Sequence, residues 1–143
     1  MSTLRKMRSD LNISLTLRSY REALGLTQDE ASRYVGVKQA TWSRWEGGKS
    51  HPQDPNGVID DLEDIMNFRD EILDELCEVV EHKSAVLGDP TVTLVTYPTD
   101  EAFHAANPRA REKNIPSAIH RSAAAICAHL ASEDRGITVR LVE

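Results

Sequence analysis

The sequence predicts a mainly α-helical protein with a small β component: an N-terminal helical bundle, a long connecting helix, and a C-terminal α/β segment. Three observations carry this reading. Between Leu26 and Gly48, two short helical stretches meet at a single glycine. From about Val58 to His82, apolar residues recur at steps of three and four. After Pro90, two short β-like runs flank an alanine-rich helical stretch.

Residues 1–14 form a basic arm with Arg5, Lys6 and Arg8 but little periodicity. Such an arm can lie on a DNA backbone or minor groove, or be a plain unstructured terminus. No apolar run follows it, so no secretory signal is expected. A first helix is expected over Thr16 to Leu24, with Leu17, Tyr20, Arg21 and Leu24 on one side. An arginine on that core-facing side needs a partner.

The next helix starts at Thr27, whose hydroxyl can cap it. Glu30, three residues on, completes a capping box. It runs to about Val35, and Gly36 supplies the left-handed position of a sharp turn. A second helix starts near Lys38 and stops at Gly47-Gly48. Trp42 and Trp45, three apart, share its back and belong to the core. Turned away from them are Gln39, Ala40, Ser43 and Arg44, which are small or rich in donors. A short helix with an anchored back and a donor-rich front suits insertion into a DNA major groove.

Leu26-Thr27-Gln28, Gly36-Val37 and Ser43-Arg44-Trp45-Glu46 before Gly48 resemble the helix-turn-helix domain of the Cro-like phage repressors, the XRE-type regulators. The likeness spans roughly residues 15–70. Two residues depart from the usual pattern, Ala31 where leucine is common and Trp42 where isoleucine is common. A larger ring facing a smaller partner conserves volume. Trp42 followed by Trp45-Glu46 also looks like the anti-CRISPR-associated autorepressors. The resemblance implies Glu46 as the partner of Arg21, in a structural ion pair.

Candidate DNA-binding residues are Gln28, Lys38, Gln39, Ala40, Thr41, Ser43, Arg44 and Lys49. Gln39 suits a two-point contact to adenine and Arg44 one to guanine, whereas Gln28, Lys38, Ser43 and Lys49 suit phosphate or mixed contacts. The charge distribution agrees. Through His51, nine basic and five acidic side chains leave +4, while the rest of the chain carries −10. A basic head on an acidic body fits a DNA-binding module whose second half faces away from phosphate.

After Gly48 the sequence reads as a loop to Gly57, with Pro52 and Pro55 in it. The long helix from Val58 to His82 carries acidic residues between its apolar positions, a solvated face. Thr91 to Tyr97 reads as a strand. Thr99 opens a short helix ending by Asn107-Pro108, and Ala118 to about Ser132 forms another, with Ile119, Ala123, Ile126, Cys127 and Leu130 inward. A turn at Asp134-Arg135-Gly136 precedes a closing strand, Ile137 to Val142. Two strands alone are marginal, so pairing across a dimer or packing on the long helix must support them.

Residues 71–143 are therefore expected to hold a homodimer together, presenting two reading helices to a near-palindromic double-stranded operator. His104, His120, His129 and Cys127 match no zinc spacing, and no cofactor or metal is expected. Two cysteines make no disulfide framework, and no segment has the ~20 apolar residues of a membrane span, so the chain reads as cytoplasmic. The expected function is a dimeric, sequence-specific transcriptional repressor, autoregulatory and phage or mobile-element associated, without enzyme activity. The alternative is a DNA-binding antitoxin whose C-terminal half engages a separate protein. An enzyme on residues 88–143 is disfavoured, because that stretch offers no clustered acid–base pair.

Overall fold

The structure is a computed structural model describing residues 12–143. Arg5, Lys6 and Arg8 of the basic arm lie outside the described residues. The chain divides into two compact units, one ending at Met66 and one spanning Asn67–Glu143.

The first unit holds α1 (Ile13–Leu24), α2 (Gln28–Val35), α3 (Gln39–Glu46) and the start of α4 (Pro55–Leu87). Asn12 sets the beginning of α1, its side chain accepting the Leu15 N–H at 3.0 Å. The helix therefore starts three residues before the expected Thr16, and Ile13 and Ser14 belong to its first turn rather than to the arm. In α2 the capping box is complete. Thr27 Oγ1 accepts from Glu30 N at 3.1 Å, and Thr27 N donates to Glu30 Oε1 at 3.0 Å. Gly36 then turns the chain at φ +82°.

The loop expected up to Gly57 ends sooner. Pro55 opens α4, and Asp54 Oδ1 accepts from Gly57 N at 3.1 Å. Proline suits a first helical position because its missing N–H would have had no partner there. Leu17, Leu24, Leu26, Ala31, Trp42, Trp45, Ile59, Leu62 and Ile65 are the buried apolar residues of this unit.

The second unit continues along α4 and adds β1 (Thr91–Val95), α5 (Asp100–Ala106), α6 (Pro108–Lys113), α7 (Ser117–Arg135) and β2 (Thr138–Val142). The two strands pair in parallel, from Thr91 opposite Thr138 to Val95 opposite Val142. Parallel neighbours need a long crossover, supplied here by the three helices between them. Val92 and Leu94 bury their side chains with Val80 of α4, Cys127 and Ala131 of α7, and Ile137. Leu73, Leu76, Cys77 and Val139 pack against that cluster. The strands are thus supported by each other, by α4 and by α7, all within one chain.

The second unit also departs from the sequence reading. The long helix runs to Leu87 rather than His82, although Val86 and Leu87 are exposed. A helix absent from that reading, α6, starts at Pro108 with Asn107 as its cap, Oδ1 accepting from Ala110 N at 3.0 Å. The last helix runs through Asp134 and Arg135, and only Gly136, at φ +65°, turns the chain. On α7 the inward set is Ile119, His120, Ala123, Ala124, Cys127 and Ala131, while Leu130 is exposed and Ile126 half-buried. No helix among the described residues is long and apolar enough to cross a membrane.

Candidate nucleic-acid interface

The orientation of α3 follows from its back. Trp42 is fully buried and Trp45 nearly so, with ring centroids 5.7 Å apart. Ala31 of α2 is also fully buried, so the unit's core holds one small and one very large side chain where the sequence suggested a volume exchange. Two buried indoles on an eight-residue helix leave it little freedom to roll. Gln39, Ala40, Ser43 and Arg44 are consequently exposed on the front, with Thr41 half-buried. Lys38 and Lys49 are exposed at the two ends. Lys38 occupies the cap position of α3 without bonding there through its side chain, so the first-turn N–H groups lack a side-chain cap.

Behind the front sits one polar cluster. Arg21 of α1 grips Glu46 of α3 with two bonds, Nε to Oε2 at 2.6 Å and Nη2 to Oε1 at 2.9 Å. The side chains are 15% and 5% exposed, so this is a nearly dry ion pair. Arg21 Nη1 also donates to the Leu26 carbonyl at 2.9 Å, tying α1 to the start of the next segment. The Trp42 indole N–H donates to Glu46 Oε2, and Gln28 Nε2 donates to Glu46 Oε1 at 3.2 Å. The carboxylate therefore accepts four hydrogen bonds from three side chains.

Burial by itself would raise the Glu46 pKa. The bonds from Arg21, Trp42 and Gln28, together with the Arg21 charge, outweigh it and hold the carboxyl below its usual value. Arg21 is raised in turn, chiefly by its bond to Glu46. Both groups stay ionised across the physiological range.

Gln28 links this cluster to the front. Its amide nitrogen donates to Glu46, while its oxygen accepts from Gln39 Nε2 at 3.1 Å. The chain of bonds Arg21–Glu46–Gln28–Gln39 runs from the buried pair to the exposed face. The sequence suggested only phosphate or mixed contacts for Gln28, and the structure half-buries it as a bridge. Trp42 as a hydrogen-bond donor was also missed. The signal was its four-residue spacing from Glu46, which puts both on one side of a helix.

Around this face, Arg18 pairs with Glu22 at 2.7 Å and Arg33 with Asp29 at 2.8 Å, both exposed pairs one helical turn apart. Past the end of α3, Gly48 takes φ +73° and Lys49 N donates back to the Arg44 carbonyl at 3.0 Å. That turn fixes where the Lys49 backbone leaves the helix.

The histidines of the second unit are not gathered. His104 Nε2 lies 2.7 Å from the Ile115 carbonyl, His120 is buried against Tyr97 and Phe103, and His129 is exposed. Among the described residues no group of three or more His, Cys, Asp or Glu is arranged to hold a metal ion.

A family model described as a helix-turn-helix domain matches residues 12–76. That segment, a little under half of the chain, is thus similar to a helix-turn-helix family typical of XRE-like regulators, and such a domain implies DNA binding. Among curated proteins, the chain is similar to "Type II methyltransferase M.MspI" from Moraxella sp, 38% identical over 56 residues. The similarity covers 38% of this chain but only 13% of the methyltransferase.

Proposed function

We propose that this protein is a sequence-specific transcriptional repressor that binds double-stranded DNA as a homodimer, with α3 as the reading helix. The observation that carries this is the exposed Gln39–Arg44 front, fixed against a back of two buried tryptophans and a buried ion pair. Gln39 and Arg44 can each make two-point contact with a base edge, adenine for one and guanine for the other. Ala40, Thr41 and Ser43 line the surface between, small enough to let the helix approach the base pairs. Lys38 and Lys49 meet phosphates on either side, and the uncapped first turn of α3 offers N–H groups to the same backbone. Gln28 holds the Gln39 amide in place before DNA arrives, which lowers the entropy lost on contact.

The second unit supplies the dimer contact. Six of the seven large apolar side chains exposed among the described residues belong to it: Val79, Val86, Leu87, Val95, Leu130 and Leu141. Burying them against a second copy removes a liability and places two reading helices about one DNA turn, roughly 34 Å, apart. The operator is then near-palindromic. The likeness to phage repressors and anti-CRISPR-associated autorepressors supports control of the protein's own promoter on a mobile element. A separate protein docked on the same apolar residues would make the chain an antitoxin. No catalytic step belongs to this function, and the short similarity to a methyltransferase carries no transfer chemistry to this chain.

Genome-wide footprinting of the full chain, followed by titration on the recovered site and on a scrambled duplex, tests the proposal. Footprints with two-fold symmetry and a 1:1 ratio of dimer to duplex support it. Equal affinity for both duplexes, or a monomer on the recovered site, overturns it.

A further inference from the structure

We propose that Cys77 and Cys127 form a reversible dithiol–disulfide pair that cross-links α4 to α7 when a low-molecular-weight disulfide is present. Both cysteines are free thiols, one half-buried and one fully buried. They come from helices fifty positions apart in sequence, yet they line the same cavity of about 110 Å³, beside Val80, Leu130 and Ala131. Cys127 belongs to the second unit's apolar cluster and Cys77 packs against it. Cys77 is also among the groups that act on the Cys127 thiol, as expected of two side chains lining one small cavity. Disulfide geometry asks that the two Cα atoms lie within about 7 Å, so the proposal requires α4 and α7 to hold these positions that close.

The mouth of the cavity is polar. Glu81, Asp134 and Arg135 complete its lining, and Arg135 Nε bonds Glu81 Oε1 at 2.9 Å. Both of those side chains are about half exposed, so the pair can part to admit a small polar disulfide.

The order of events follows from the two environments. Burial, then the hydrogen bond and charge of Cys77, push the Cys127 thiol up to about 12, so it attacks nothing arriving from solvent. Cys77 is the accessible partner and reacts first. Its sulfur, giving up its proton, attacks one sulfur of the small disulfide. The S–S bond of the reagent breaks, and one small thiol leaves with that proton. Cys127 then attacks the Cys77 sulfur of the mixed disulfide, and the second small thiol departs with the Cys127 proton. The protein loses two electrons and two protons, and the reagent gains both. High effective concentration within the unit offsets the reluctance of Cys127 to ionise.

The test uses the full chain, reduced, freed of reductant and incubated with oxidised glutathione. The intact mass should fall by about 2 Da, the two lost hydrogens. Non-reducing peptide mapping should then show Cys77 joined to Cys127, and dithiothreitol should reverse both changes. Cys127→Ala, placed on an alanine-rich helix, should stop at a single glutathione adduct on Cys77. Cys77→Ala should stay unmodified. A wild-type chain that remains reduced, keeps a stable glutathione adduct, or forms only Cys77-linked pairs of chains overturns the proposal. The wild-type masses decide the proposal by themselves, and the Cys77→Ala outcome is read on a chain whose circular dichroism matches wild type, since only the fold keeps Cys127 buried.

Discussion

Removing the Glu46 carboxylate should destabilise the helix-turn-helix unit by ~3–4 kcal/mol, and the structure shows why. Glu46→Ala deprives four N–H bonds of their acceptor at once: Arg21 Nε and Nη2, Gln28 Nε2 and Trp42 Nε1. Stranding one charge of a buried pair costs ~3–5 kcal/mol. Two features place the loss in the lower part of that range. Arg21 keeps its bond to the Leu26 carbonyl, and Gln28 is only half-buried, so water can reach part of what is lost. Arg21→Met should cost about as much, since Glu46 is the more deeply buried partner and two neutral donors solvate a carboxylate poorly. The double change to Met at both positions should cost less than the sum of the singles, because no charge is then left unpaired.

Both tryptophans of the chain lie in α3, so urea unfolding followed by tryptophan emission reports this unit and not the second. Acid should mimic the substitution. Glu46 has a lowered pKa in the folded chain, so its contribution is fully present above the unfolded carboxyl value of 4.5. That contribution disappears as pH falls through the lower native value. A loss below ~1 kcal/mol for Glu46→Ala would refute the reasoning, as would strict additivity in the double variant.

Gln39→Ala and Arg44→Ala should each lose ~1–3 kcal/mol of discrimination between operator and scrambled duplex while keeping non-specific affinity, measured by parallel titrations. Lys49→Ala should weaken both duplexes alike and flatten the salt dependence by about one unit for the lost phosphate contact. Gly36→Ala should cost ~1–2 kcal/mol by tryptophan-monitored unfolding. That cost is backbone strain at φ +82° alone, since an added Cβ meets nothing within 4 Å. In the second unit, burial first and then the Arg121 charge lower the His120 pKa below 6.5. Both states are neutral above that value. Below it the unfolded chain takes up a proton that the native site resists, so stability falls by up to ~1.4 kcal/mol per pH unit. Thermal unfolding by circular dichroism from pH 7 to 5 should show this limb, and His120→Leu should flatten it.

The helix-turn-helix was legible because every one of its signals is local: a capping box within four residues, one glycine at the turn, two tryptophans three apart. Elsewhere the caps mark helix ends that apolar periodicity does not. Asn12 and the Asn107-Pro108 pair announce helices that the periodic residues do not, since Leu15 is exposed and α6 buries only Ala110. The far end of α4 continues through the exposed Val86 and Leu87, where intrahelical bonding persists without a core to mark it. The parallel pairing of β1 with β2 was not legible at all. The alternation in β1 shows which of its faces is buried, whereas β2 buries none of its residues, and partner and direction depend on how α7 and α4 bring Cys127 and Val80 together. The bridging role of Gln28 was hidden for a similar reason, as it depends on three residues from two other helices meeting around one carboxylate.

The register of that strand pair also sets an order in time. Thr91 is matched with Thr138 and Val95 with Val142, so the second unit cannot close until nearly all of it has been synthesised. The first unit draws its compact contacts from residues up to Met66. At translation rates of roughly 5–20 residues per second, Asn67–Val142 takes roughly 4–15 s to make, far longer than a small helical bundle needs to fold. For that interval a nascent chain carries its helix-turn-helix segment without the unit that the proposed dimer would use. Under the proposed dimer it would meet DNA one half-site at a time, with the weaker grip that a single helix gives.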